Sequence, residues 1–154
     1  MKKASLFLLT VLACAALPAA GQTIALGERA PELKVQSWLE DRIPAEAPKT
    51  YVEFFHSSNK VSLSSMERLK ELSAQAGDGL RIVVLACEPE EKIALQLAPY
   101  LSPRIGVGFD PSGKLFAAYG VSYVPFGVLL GPRNRALWMG NTLQLTPEII
   151  ENSK

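Results

Sequence analysis

One histidine, His56, and two cysteines, Cys14 and Cys87, are the side chains of this 154-residue sequence best suited to redox or soft-metal chemistry. Thiol-disulfide exchange needs one thiolate to attack and a second thiol to resolve the mixed disulfide. The two cysteines lie far apart, and Cys14 falls in an apolar N-terminal stretch. A single His and a single remaining Cys are too few for a zinc-type cluster, so no metal and no cofactor is expected. Ser62 carries a hydroxyl without an evident base to activate it, and Lys60 offers a cation beside a helix start, where an anion would be favoured but where a solvated lysine is the plainer reading.

Lys2 and Lys3 precede an apolar run from Ala4 to Ala16, then Pro18 and the small residues Ala19, Ala20 and Gly21. This pattern predicts a secretory signal peptide over 1–21, leaving 22–154 as a single domain. Its apolar core is shorter than the ~20 residues of a spanning helix, and no later segment is long enough, so no membrane span is expected. A rival reading takes Cys14, after Val11-Leu12-Ala13, as the lipid-accepting cysteine of a bacterial lipoprotein; Leu12 suits that processing poorly. Export places the product across the inner membrane, in a periplasmic compartment where thiols oxidise. With Cys14 removed, Cys87 has no intramolecular partner, and the domain must be held by its core alone.

Sixteen basic and fifteen acidic residues give a formal charge of +1 and are interspersed, which leaves no electrostatic footprint for nucleic acid. Hydrophobic residues make up 48%, enough for one globular core.

Stepping along the chain, 22–48 is rich in Ala, Pro and Glu with one extended stretch at Leu33 to Trp38. Tyr51 to Phe55 reads as a buried strand, broken by His56-Ser-Ser-Asn59. A helix follows, with Val61, Met66, Leu69 and Leu72 as its apolar stripe and Gly77 as its stop. Leu80 to Ala86 is a near-continuous apolar run, the mark of a parallel strand covered on both faces. Pro89 opens a second helix carrying Ile93, Leu95 and Leu97 and reaching about Tyr100. Ile105 to Phe109 is a short strand, Asp110 to Gly113 a turn, and Lys114 to Tyr119 a short helix. Phe126 to Leu130 and Ala136 to Met139 form a hairpin around Gly131 to Asn134, and Thr146 caps a terminal helix begun by Pro147. The order is β-α-β-α-(β)-α-β-β-α: an α/β fold with a mixed sheet, parallel first and antiparallel last.

That order and three segments resemble the thioredoxin superfamily, in particular its exported TlpA-like and peroxiredoxin-like (AhpC/TSA) branch. Tyr51-Val-Glu-Phe-Phe-His-Ser-Ser-Asn59-Lys-Val-Ser62-Leu-Ser-Ser-Met66 aligns without a gap on the family's strand, FWAxWCxxC and helix. Tyr119-Gly-Val-Ser-Tyr-Val124-Pro125-Phe126-Gly-Val-Leu-Leu130 is similar to YGVxxxPTxFLI, and Ala25 to Pro31 to GxxAPxF. The resemblance implies a thioredoxin-like fold, a cis-proline at Pro125 facing the active-site loop, and a redox site at Asn59, Lys60, Val61 and Ser62, where the cysteines are replaced by Asn59 and Ser62. Conventional thiol-disulfide or peroxidatic chemistry is then not expected. Glu53 takes the place of the acid buried beneath the dithiol; its plain reading is an inherited carboxylate that finds a Lys or a water, with a raised pKa if the group is dry.

Two functions from different classes follow. In the first, the chain is a redox-inactive, chaperone-like binding module for another exported protein or peptide, using a groove of the loop Ser57 to Ser62 with Phe55, Tyr123, Val124, Pro125 and Phe126. In the second, Cys87 and His56, at the carboxyl ends of adjacent strands in the thioredoxin topology, form a one-cysteine oxidoreductase or antioxidant site; the competing reading of Cys87 is a small buried hydrophobe.

Overall fold

The computed structural model describes residues 24–154; the expected signal peptide and Cys14 lie outside the described residues. In chain order the strands are Ser37–Trp38 (β1), Lys49–Phe55 (β2), Leu80–Ala86 (β3), Ile105–Phe109 (β4), Phe126–Leu130 (β5) and Ala136–Gly140 (β6). The α-helices are Lys60–Ala76 (α1), Glu90–Leu97 (α2), Lys114–Ala118 (α3) and Pro147–Asn152 (α4). The strands form one sheet in the order β1-β4-β3-β2-β5-β6. β4, β3 and β2 run parallel, and β5 and β6 close one side antiparallel. The extended stretch before β2 shrinks to β1, a two-residue edge strand antiparallel to β4.

The central strands are apolar on both faces because the sheet is covered on both. Tyr51, Phe55, Ile82, Val84 and Val107 pack with Met66, Leu69 and Leu72 of α1, Ile93 and Leu97 of α2 and Ile150 of α4. Val52, Phe54, Val83, Leu85 and Val128 pack on the other face with Leu115, Tyr119, Ile24 and Ala30. Alternation along β2 therefore puts Tyr51, Glu53 and Phe55 under α1, and Phe54 on the opposite side.

Two helices differ from the sequence expectation. The buried stripe of α1 is Ser62, Ser65, Met66, Leu69 and Leu72, so Val61 lies one position off the core face and is 42% exposed. Steps of three and four keep residues on one helical face, and two serines at those steps occupy it near the helix start. α2 ends at Leu97 and gives way to a single 3-10 turn, Ala98–Tyr100, because Pro99 has no amide hydrogen to continue the ladder. Ile93 and Leu97 face the core, which leaves Leu95 between them in solvent.

One glycine shapes the interior. A Cβ at Gly127 of β5 would lie 1.9 Å from the Tyr51 hydroxyl, so only glycine lets that phenol lie across the strand.

Candidate functional site

The start of α1 meets the loop before β5. Asn59 is the N-cap: its Oδ1 accepts from the Val61 N–H at 2.9 Å, satisfying one of the helix's free donors. The same amide donates from Nδ2 to the Val124 carbonyl at 2.7 Å, tying the helix start to the segment that carries the cis Val124–Pro125 peptide. Asn59 therefore fills both directions of its amide with structural bonds. Lys60 and Val61 are exposed beside it. Ser62 is fully buried, and its hydroxyl has no hydrogen-bond partner among the described residues.

On the rim, Tyr123 is 53% exposed and stacks edge-on against Phe126, ring centres 5.3 Å apart. Pro125 is buried. Phe55 does not line this rim: it is fully buried beneath α1, because alternation along β2 turns it into the core. Its neighbour Phe54 reaches Phe126 from the other face, at 6.1 Å between rings.

Beneath the rim lies Glu53, with no exposed surface. Its Oε1 is 2.9 Å from Ser65 Oγ, and Thr142 Oγ1 donates to its Oε2. Ser65 Oγ is also 2.7 Å from the Ser62 carbonyl, and the Tyr51 hydroxyl is 2.9 Å from Thr142 Oγ1. Its protein partners are hydroxyls, and no Lys is among them. Burial pushes the Glu53 carboxyl up to about 8 against the lowering effect of Thr142 and Ser65. Burial, with the Glu53 charge beside it, also raises Tyr51.

His56 and Cys87 stand at adjacent strand ends, and the partners His56 takes among the described residues are Ser58 and Glu88. His56 Nδ1 accepts from the Ser58 N–H at 3.2 Å and lies 2.8 Å from Ser58 Oγ and 4.0 Å from Glu88 Oε1. Cys87 instead borders the turn Asp110 to Gly113, where a Cβ at Gly113 would come 3.9 Å from its sulfur. Burial, then the charges of Asp110 and Glu88, push the thiol up to about 11. The group next to both residues is an anion. Glu88 is 7% exposed and accepts from Ser57 N–H at 2.7 Å, Ser57 Oγ at 2.5 Å and Lys92 Nζ at 2.9 Å. Burial alone would raise it, but the two Ser57 bonds, Lys92 and His56 outweigh burial and lower it.

Sequence reasoning missed Ser65, Thr142 and Glu88. Ser65 was findable, three residues after Ser62 and one before Met66 on the buried stripe. Thr142 and Glu88 carry no local signal, since each acts through a contact far away in sequence.

At the opposite end of the sheet, a cleft of about 610 Å³ is lined by Arg29, Arg81 and Arg133 but also by Glu32 and Glu46. Arg81 Nη1 donates to Glu46 at 2.7 Å, so little uncompensated charge is left. Among the described residues no group of His, Cys, Asp and Glu is placed to hold a metal, and no helix is long and apolar enough to cross a membrane.

No family model and no curated protein matches the sequence. Solved structures do match. A thioredoxin-like protein solved in its oxidised form aligns over 85% of this chain and 100% of its own, with 17% identity and a TM-score of 0.68. A candidate DsbE-type thiol:disulfide interchange protein of Chlorobium tepidum aligns over 77% and 86%, with 18% identity and a TM-score of 0.60. The exposed lipoprotein thioredoxin of Streptococcus pneumoniae aligns over 73% and 85%, with 22% identity and a TM-score of 0.55. The chain has a thioredoxin-like fold, α/β with a mixed six-stranded sheet.

Proposed function

We propose that this chain is an exported thioredoxin-fold module that binds extended segments of other exported proteins without exchanging disulfides with them. The observation that carries the reading is the double use of Asn59, which caps α1 and closes onto the Val124 carbonyl where the family resemblance places an attacking cysteine. Ser62, at the resolving position, is buried and beyond the reach of a client. Cys87 supplies no substitute, because a thiol near 11 is about one part in ten thousand thiolate at pH 7.

Val61, Tyr123 and Phe126 provide the apolar contact, and a client strand that pairs with the Val124 carbonyl shares that oxygen with the Asn59 amide or displaces it. The signal-peptide pattern supports a periplasmic location, with lipidation at Cys14 as the alternative that would tether the domain to a membrane.

Binding of a reduced, alkylated and unfolded polypeptide, which has no thiols to exchange, tests the reading. Saturable binding that weakens at least about fivefold in Tyr123→Ser is expected, the loss of one central aromatic anchor. Binding unaffected by that change would move the interaction to another surface. Peroxide consumption that disappears in Cys87→Ala would favour the one-cysteine alternative.

A further inference from the structure

The cleft of about 610 Å³ at the sheet end away from the Asn59 rim takes no part in the proposed role. Its floor is one row of the sheet: Arg81 of β3, Thr50 of β2 and Leu130 of β5 are register partners across three adjacent strands. They share the face of Val52, Val83 and Val128, because residues two apart on a strand point to the same side. One wall is the segment before β2, where the Glu46 carboxylate accepts from Arg81 Nη1 and the Glu46 carbonyl from Arg104 Nη1, both at 2.7 Å. A second wall is the entry segment, Arg29 to Leu33. It is held to the β5–β6 turn by the Ala30 N–H, which donates to the Asn134 carbonyl at 2.8 Å, and by Asn134 Nδ2, which donates to the Ala30 carbonyl at 2.7 Å.

The charges lining this cleft nearly balance, three arginines against Glu32 and Glu46, but its donors are not spent. Arg29 and Arg133 take part in none of the ion pairs among the described residues, and Glu32 is drawn to Lys34 at 3.5 Å. Arg81 is half spent: Nη1 serves Glu46, whereas its Nε–H is buried with no acceptor among the described residues. Arg133 also sits in left-handed backbone, φ 59°, where glycine fits without the crowding of a Cβ. The turn's backbone therefore does not account for an arginine there, and its side chain lines the cleft.

We propose that this cleft binds a small organic acid with a single carboxylate, gripped by Arg29 and Arg133, with the body of the ligand against Leu33, Pro48 and Pro132. A guanidinium matches a carboxylate in plane and in the spacing of its donors. One cation in excess over two acids suits a monoanion, and the same two acids work against a phosphate dianion. The cleft is several times the size of a carboxylate and lies within the range of small-molecule sites, which leaves room for the body.

A nitrogen-15 NMR titration of the intact protein tests the site, with phenylacetate as the probe acid, phenylacetamide as its uncharged counterpart and inorganic phosphate as the competing anion. Saturable shifts at residues 29–33, 46–48 and 131–134 are expected, with a Kd below about 5 mM for the acid and binding at least about tenfold weaker for the amide and for phosphate. Arg133→Gly suits the left-handed backbone, so it should keep the fold and weaken the acid about tenfold, as should Arg29→Gln. The proposal is overturned by a lack of saturation at about 5 mM, by shifts confined to 57–62 and 123–126, by phosphate or the amide binding as well as the acid, or by unchanged binding in both arginine variants. An acetylated tripeptide acid ending in leucine that binds more than about tenfold tighter than phenylacetate would overturn the free acid in favour of a chain terminus.

Discussion

Glu53, deep within β2 beneath α1, and Glu88, just past the end of β3 near the surface, both expose little of themselves, 0% and 7%, and their carboxyls are driven in opposite directions. Glu53 meets hydroxyls and no cation, and burial prevails. Glu88 meets a backbone N–H, a serine hydroxyl and an ammonium, and these prevail over burial. Solvent exclusion sets the cost of charge, and the donors present decide whether the charge is kept. Each glutamate orders one side of the α1 start: Glu53 from beneath through Ser65, Glu88 from the side through Ser57. Where the family resemblance would put a dithiol, this molecule has two sets of polar bonds that hold the backbone still.

The two carboxyls differ most in how they answer pH. Unfolded, Glu53 releases its proton at the ordinary glutamate value; folded, it does so near 8. The folded state holds more protons in between, so this group's stabilisation is full below about 4.5, falls as pH rises toward 8 and then levels off, a change on the order of 5 kcal/mol. Denaturation midpoints taken from pH 5 to 9 should follow that fall in wild type and lose it in Glu53→Gln. Next in size is Gly127→Ala, which drives a methyl into the Tyr51 phenol and should cost about 3 kcal/mol by urea denaturation.

Glu88→Gln should cost about 1 kcal/mol at pH 7, with the opposite pH sense. A lowered folded pKa gives stabilisation that is present above the unfolded value and lost on acidification, so wild type and Glu88→Gln should converge as pH falls through the folded pKa. The smallest effect is kinetic. Alkylation of Cys87 in the folded protein should be slow at pH 7, rise about tenfold per pH unit up to pH 10, and be unchanged in His56→Ala.

Much of the fold was legible because its signals are local. The runs Leu80–Ala86, Ile105–Phe109 and Phe126–Leu130 are strands over the residues their apolar patterns mark, and Thr146 with Pro147 opens α4. The candidate site was legible only in part. Position along the chain locates Asn59 at the helix start, but not the second bond of its amide, which is made to a residue 65 positions away. Residue type alone suggests an exposed Phe55 and a buried Val61, whereas strand and helix phase fix their sides: Phe55 turns inward and Val61 outward. Strand adjacency alone pairs His56 with Cys87 in the sequence, whereas Glu88, buried against Ser57 and 4.0 Å from His56, carries no mark that sets it apart from Glu90 or Glu91.

The proposed role requires this thioredoxin-like fold to work without thiol exchange. Reduction of insulin disulfides by dithiothreitol, followed by turbidity, tests it most directly. Wild-type protein is expected to leave the uncatalysed rate unchanged, and an acceleration that Cys87→Ala abolishes would contradict the account.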